Sequence, residues 1–278
     1  MKADFSLLRT VSDETYATEP LPAPYVAEFR RGPMRLTFVS THHETGPETV
    51  SAKTVAKAFT ASEPRVVVVE GVDARPAAAK EFREHVLRQA ENGCARCEES
   101  EYAAALAYRA GVPVLGGEPT DRQILDELLR RNYTVKDFLG FYVARQIPVW
   151  RRLGRVKETG IEPLTNGFLD YMRRNADMRI RFKYADFLRW FRAHETEGKS
   201  PLDLTVEDTA PYDGPETSYF QRICFAMDRK REKVIVRRIE SALERRGRVM
   251  VVYGSGHLVK QRRVWENLLG RSKNSKPF

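Results

Sequence analysis

Short apolar runs alternate along the chain with longer stretches in which apolar residues recur at helical spacing. MRLTFVS at 34–40 reads as a strand, and RVVVVE at 65–70 is an apolar β-branched run, the mark of a strand buried on both faces. VPVLGGE at 112–118 is a third strand that runs into a glycine turn, and RVMVVY at 248–253 a fourth. Between the first two, ETVSAKTVAKAF carries Val50, Val55, Ala58 and Phe59 on one helical face, and Pro47 suits a helix's first turn. DARPAAAKEFREHVLRQA predicts a second helix, and Glu99 to Ala110 a third, closed by Gly111. This β-α-β-α-α-β order predicts a parallel sheet with crossover helices.

Residues 120–220 break the pattern. They are helical, rich in Arg, Phe, Tyr and Trp, with little strand signal. A long helix then covers Tyr219 to Arg246, and Gly247 closes it. RVMVVY follows, then GSGH as a turn, then LVKQRRVWENLL as a final amphipathic helix. The expected fold class is α/β, an α+β variant: a mostly parallel central sheet with flanking helices and a helical insertion covering one edge. The expected organisation is an irregular, proline-rich arm (1–33), a first α/β half (34–119), the insertion (120–220), a second α/β half (221–270) and a flexible tail (271–278).

Composition narrows the class without naming a function. The chain has 278 residues, 42% hydrophobic and 31% charged, which suits a globular protein. No stretch approaches the ~20 apolar residues of a membrane span, and MKADFSLLRTVSDETYATEP lacks the apolar centre of a secretory signal. The expected location is therefore the cytoplasm. A net charge of +9 admits an acidic partner, but the basic residues are spread along the chain and no nucleic-acid motif accompanies them. A solvated basic surface is the preferred reading, with oligomeric state left open. Cys94 and Cys97 form CARC without the second pair that a zinc ribbon requires, so surface thiols or a local bridge are expected.

Each expected strand ends in a residue able to do chemistry. His42 and His43 follow LTFVS, Glu70 ends RVVVVE, Glu118 follows VPVLGG, and His257 follows VMVVYGSG. In parallel sheets ligands bind at the carboxyl ends of strands, so these residues are expected on one edge. Two imidazoles with one or two carboxylates suit a divalent metal (Mn, Co, Zn or Fe), and without metal they suit general acid–base chemistry. Only one of the adjacent His42 and His43 is expected to face the site. Gly254 and Gly256, on either side of Ser255, permit a tight turn whose outward amides suit an oxyanion or phosphate.

These motifs resemble the TraB/TIKI superfamily, which includes pheromone-shutdown proteins, TIKI metalloproteases, and ChaN-like and erythromycin-esterase-like proteins. Its paired GxxH signature is matched by Gly254-Ser255-Gly256-His257 and, with serine in place of glycine, by Ser40-Thr41-His42-His43. A strand-end glutamate followed by arginine matches Glu70 and Arg75. An acidic residue opening the next helix matches Glu101, and an Arg-Asn/Asp pair is similar to Arg231-Glu232, where glutamate departs from the pattern. The resemblance covers about 34–118 and 225–268 and omits the middle.

What the resemblance implies is a metal-dependent hydrolase, with His43, Glu70 and His257 central and an amide or peptide bond as target. In that reading His43, His257 and Glu70 hold the metal. Glu70, Glu118, Arg75 and Arg231 supply catalytic functions, and His42, Glu101, Gly254, Ser255 and Gly256 face a small-molecule or peptide substrate. A metal-independent His/Glu esterase is the alternative, and a ligand- or haem-binding protein with Tyr253 or a histidine on iron is the third.

Overall fold

The computed structural model describes residues 2–12 and 23–275, which fall into two compact units. One holds 2–9, 23–119 and 232–275, the other 10–12 and 120–231.

The first unit is α/β. Its strands are β1 (Tyr25–Arg31), β2 (Met34–Thr41), β3 (Val66–Asp73), β4 (Val114–Glu118), β5 (Arg248–Gly254) and β6 (Lys273–Ser275). Among the described residues they form one sheet in the order β4-β3-β5-β2-β1-β6. The pairs β4–β3, β3–β5 and β5–β2 are parallel, and β1 is antiparallel to β2 and to β6. Val66 to Val69 and Val249 to Val252 are buried throughout, as unbroken apolar runs in a parallel sheet must be. Helices α1 (Val50–Ser62), α2 (Pro76–Glu91) and α3 (Glu99–Arg109) make the crossovers. Residues of β2, β3, β5, α1 and α3 share one apolar cluster. A second cluster brings strand residues together with Ile235, Ile239 and Leu243, and with Leu258, Val264 and Trp265.

The second unit is helical: α4 (Asp121–Arg130), α5 (Val135–Arg152), α6 (Arg155–Thr159), α7 (Ile161–Asn175) and α8 (Tyr184–His194). Its aromatics form its own core, with Phe138, Phe141, Phe187, Trp190 and Phe191 buried together. Helix α9 (Tyr219–Arg246) belongs to this unit up to Arg231 and to the first from Glu232 on.

Several expectations need correction. Residues 25–31 are a strand and not an irregular arm, because Met34–Arg31 and the pairs beyond it close a hairpin through Gly32 at φ +57. Most of EPLPAP lies outside the described residues. Pro47 precedes the first helix, whose N-cap is Thr49, with its side chain accepting the Ala52 N–H. GSGH is not a turn: α10 (Ser255–Leu269) begins at Ser255, directly after β5. Within the tail, 273–275 pairs with 26–28, while 276–278 lie outside the described residues. Of the two readings of CARC, the local bridge holds and the surface thiols do not: Cys94 and Cys97 are bridged and buried. Among the described residues no helix is long and apolar enough to cross a membrane.

Candidate functional site

Strand order brings three of the sequence-derived residues together. β5 lies between β2 and β3, with Thr41 opposite Gly254 and Val69 opposite Val252. The chain past β2 and the end of β3 therefore flank Gly254, at the carboxyl edge where ligands of parallel sheets collect. A methyl group built on Gly254 would sit 3.2 Å from His43 Nε2 and 3.4 Å from Glu70 Oε2. The Gly254 N–H donates to Glu70 Oε2 at 2.7 Å. That amide is committed to holding a carboxylate and is not presented to a substrate oxyanion.

His257 sits in the first turn of α10, and its Nε2 lies 3.4 Å from Glu70 Oε1. Its other nitrogen, Nδ1, lies 2.7 Å from Glu232 Oε1. Glu232 is 1% exposed. The Gln261 side-chain amide donates to its Oε2 at 2.6 Å, and Lys260 Nζ is 3.7 Å from Oε1. Trp265 Nε1 in turn donates to Gln261 Oε1 at 3.1 Å. Burial opposes the ionisation of Glu232. The charges and hydrogen bonds of His257, Lys260 and Gln261 outweigh it and hold the carboxyl well below its ordinary range. A buried carboxylate at Nδ1 helps fix the imidazole's orientation, and the opposite nitrogen, Nε2, faces Glu70.

The loop carrying His43 is tied down on its far side. The Glu44 N–H donates to Glu99 Oε1 at 2.6 Å, Thr45 bridges Glu98, and the Gly46 N–H donates to the Cys97 carbonyl at 2.9 Å. Glu44 Oε2 accepts the Ser51 N–H at 3.1 Å. Burial raises the Glu99 carboxyl, against the Glu44 N–H and the nearby His43.

Other expected site residues lie elsewhere. Glu101 reaches His85, at 2.8 Å, and accepts the Glu98 N–H, so it caps α3. Arg75 is held by Asp73 through Nε and Nη2 at 2.7–3.0 Å. Glu118 ends β4, the outer strand, with Asp73 as its register partner; its carbonyl accepts from Arg238. Arg231 falls in the second unit. Ser255 and Gly256, by contrast, open α10 between Gly254 and His257, and His42 is exposed, as His43 is, its carbonyl accepting the Glu44 N–H. Tyr253 is fully buried, and a methyl on Gly117 would meet its hydroxyl at 1.9 Å, so the phenol is packed inside the sheet edge rather than offered to an iron.

Sequence reasoning missed Glu232 and Glu99 as site residues. Glu232 stands inside a long helix, away from any strand end; its only signal was its place beside Arg231 in the quoted motif. Glu99 lies two positions before the glutamate chosen.

The chemistry of the donors fits a divalent cation: two imidazoles and a carboxylate, with a carboxylate behind one imidazole as in many zinc-bound histidines. As the side chains stand, no group of three or more His, Cys, Asp or Glu among the described residues is set around one point to hold an ion. Comparison of the chain with family models, with curated proteins and with solved structures finds no match.

Proposed function

We propose that the first unit is a hydrolase of the TraB/TIKI kind, acting on an amide or peptide bond with a divalent metal held by His43, His257 and Glu70. The observation that carries the reading is the line Glu232–His257–Glu70, a buried anion, an imidazole and a second carboxylate in contact at 2.7 and 3.4 Å. When bound, the metal supplies a water of lowered pKa. The chain's own residues do the rest. Glu232 keeps the His257 proton on Nδ1 and its Nε2 available. The Gly254 amide holds Glu70 from behind. The absence of a side chain at Gly254 leaves space for the His43 ring.

A second reading has its own support. Glu70 Oε2 is already engaged by the Gly254 amide, and Oε1 stands 3.4 Å from His257 Nε2. Without metal, the Glu232–His257 pair is a general base oriented by a buried carboxylate, suited to removing a proton from water.

Elemental analysis of protein purified without chelator or affinity histidines, beside the His257→Ala variant, separates the two. About one metal per chain, lost in the variant, supports the metal site. Hydrolysis of a peptide or ester panel that survives exhaustive chelation supports the second reading. Full turnover in His257→Ala or Glu70→Ala defeats both.

A further inference from the structure

The turn that holds the Cys94–Cys97 bridge is joined to the loop that carries His43. The bridge closes across three residue steps. Both cysteines are buried, against Val86, Ala104 and Ala105, while Ala95 and Arg96 between them are exposed. The turn is unusual in backbone: Gly93 and Cys94 are consecutive residues at φ +67 and +58, and the left-handed region is disfavoured for a cysteine. Directly after the bridge, Cys97, Glu98 and Glu99 each make one contact with Gly46, Thr45 and Glu44. This three-contact strut runs antiparallel to the loop and ends one residue from His43.

We propose that Cys94–Cys97 is a thiol–disulfide exchange site that sets the order of the His43 loop. A small dithiol is the reductant. One of its thiolates attacks a bridge sulfur, its second thiol resolves the mixed disulfide, and the dithiol leaves as its own disulfide. Cys94 and Cys97 receive the two electrons and two protons as two thiols. Once the bridge opens, the left-handed Cys94 keeps only its backbone hydrogen bonds to Gln89 and Cys97. The Cys97 carbonyl then loses its fixed position, and the strut loosens from the end nearest the bridge. The effect on hydrolysis rests on the function proposed above, but the strut is testable without it.

The test is amide hydrogen exchange on the full chain in three states: as oxidised, after dithiothreitol, and with Cys94→Ala and Cys97→Ala together. A four-residue bridge accounts for roughly a tenfold change in local opening. Exchange at the Glu44 and Gly46 amides is therefore expected to rise about tenfold in both opened states and to recover on reoxidation. The Val251 and Val252 amides are expected to stay protected. Unchanged exchange at Glu44 and Gly46 in the double variant overturns the strut. Equal loss of protection at Val251 and Val252 overturns it as well, since the bridge is then a global staple. A bridge that dithiothreitol leaves intact overturns the exchange site. If exchange responds as expected and no substrate is turned over, only the hydrolase reading fails.

Discussion

Glu232 Oε1 stands 2.7 Å from His257 Nδ1, so a carboxylate on one helix holds the imidazole at the start of another. The contact does two things at once. It sets a carboxylate beside a buried histidine, and the opposite nitrogen faces Glu70.

Replacing Glu232 with alanine is expected to cost roughly 3 kcal/mol of stability, because His257, Lys260 and Gln261 all share that carboxylate. Glu232→Gln is expected to lose less and to keep more activity, since its amide oxygen still accepts the Nδ1 proton. Urea unfolding and turnover measured on both variants check the ranking; equal behaviour of the two would show that charge alone matters.

Gly254→Ala tests the space between His43 and Glu70. The backbone there, at φ −55 and ψ 149, is open to alanine. The added methyl would crowd His43 Nε2 at 3.2 Å. Metal affinity or turnover is expected to fall about tenfold or more with the melting temperature little changed. Isothermal titration with Mn²⁺ or Zn²⁺, beside circular dichroism, reads both quantities.

The core of the first unit is sensitive at Gly117, where a methyl would meet the Tyr253 hydroxyl at 1.9 Å and its ring at 2.9 Å. Gly117→Ala is expected to cost about 1–3 kcal/mol. Because Tyr253 packs edge-on against His257, with ring centroids 5.0 Å apart, turnover should fall with stability. Gly117→Ala combined with Tyr253→Phe should recover part of both.

In the second unit the sensitive group is Asp137. Burial pushes its carboxyl up, but hydrogen bonds from Trp190 and Thr134 outweigh this and hold it below its ordinary value. A carboxyl depressed on folding stabilises above its unfolded pKa, ~3.9, and that contribution is lost as pH falls through the lower folded value. Acid unfolding of this unit should therefore steepen below about pH 4. Asp137→Asn should lower stability at neutral pH and flatten that dependence. Tryptophan fluorescence of wild type and variant from pH 6 to 2 reports it.

The parallel core was legible because buried β-branched runs leave few alternatives. MRLTFVS and RVMVVY each fall within one residue of β2 and β5, RVVVVE finds the start of β3 but stops three residues short of its end at Asp73, and helix α9 matches at both ends. What failed depended on tertiary partners. YVAEFRR in β1 has two arginines and a glutamate, and becomes a strand by pairing with β2. GSGH carries two glycines, which local propensity reads as a turn, yet the helix starts at Ser255. In the site, strand order made His43, Glu70 and His257 neighbours. Glu232 stayed hidden because the face a helix residue shows depends on how that helix packs, and Glu99 was passed over for Glu101 because both glutamates open the same turn.

β5 ends at Gly254 and α10 begins at Ser255, so no linker separates the sheet from the helix that carries His257. One residue inserted between them would swing the imidazole about 100° around the helix axis, away from Glu70 and Glu232 together. The count of residues at this junction therefore sets the direction in which the imidazole points.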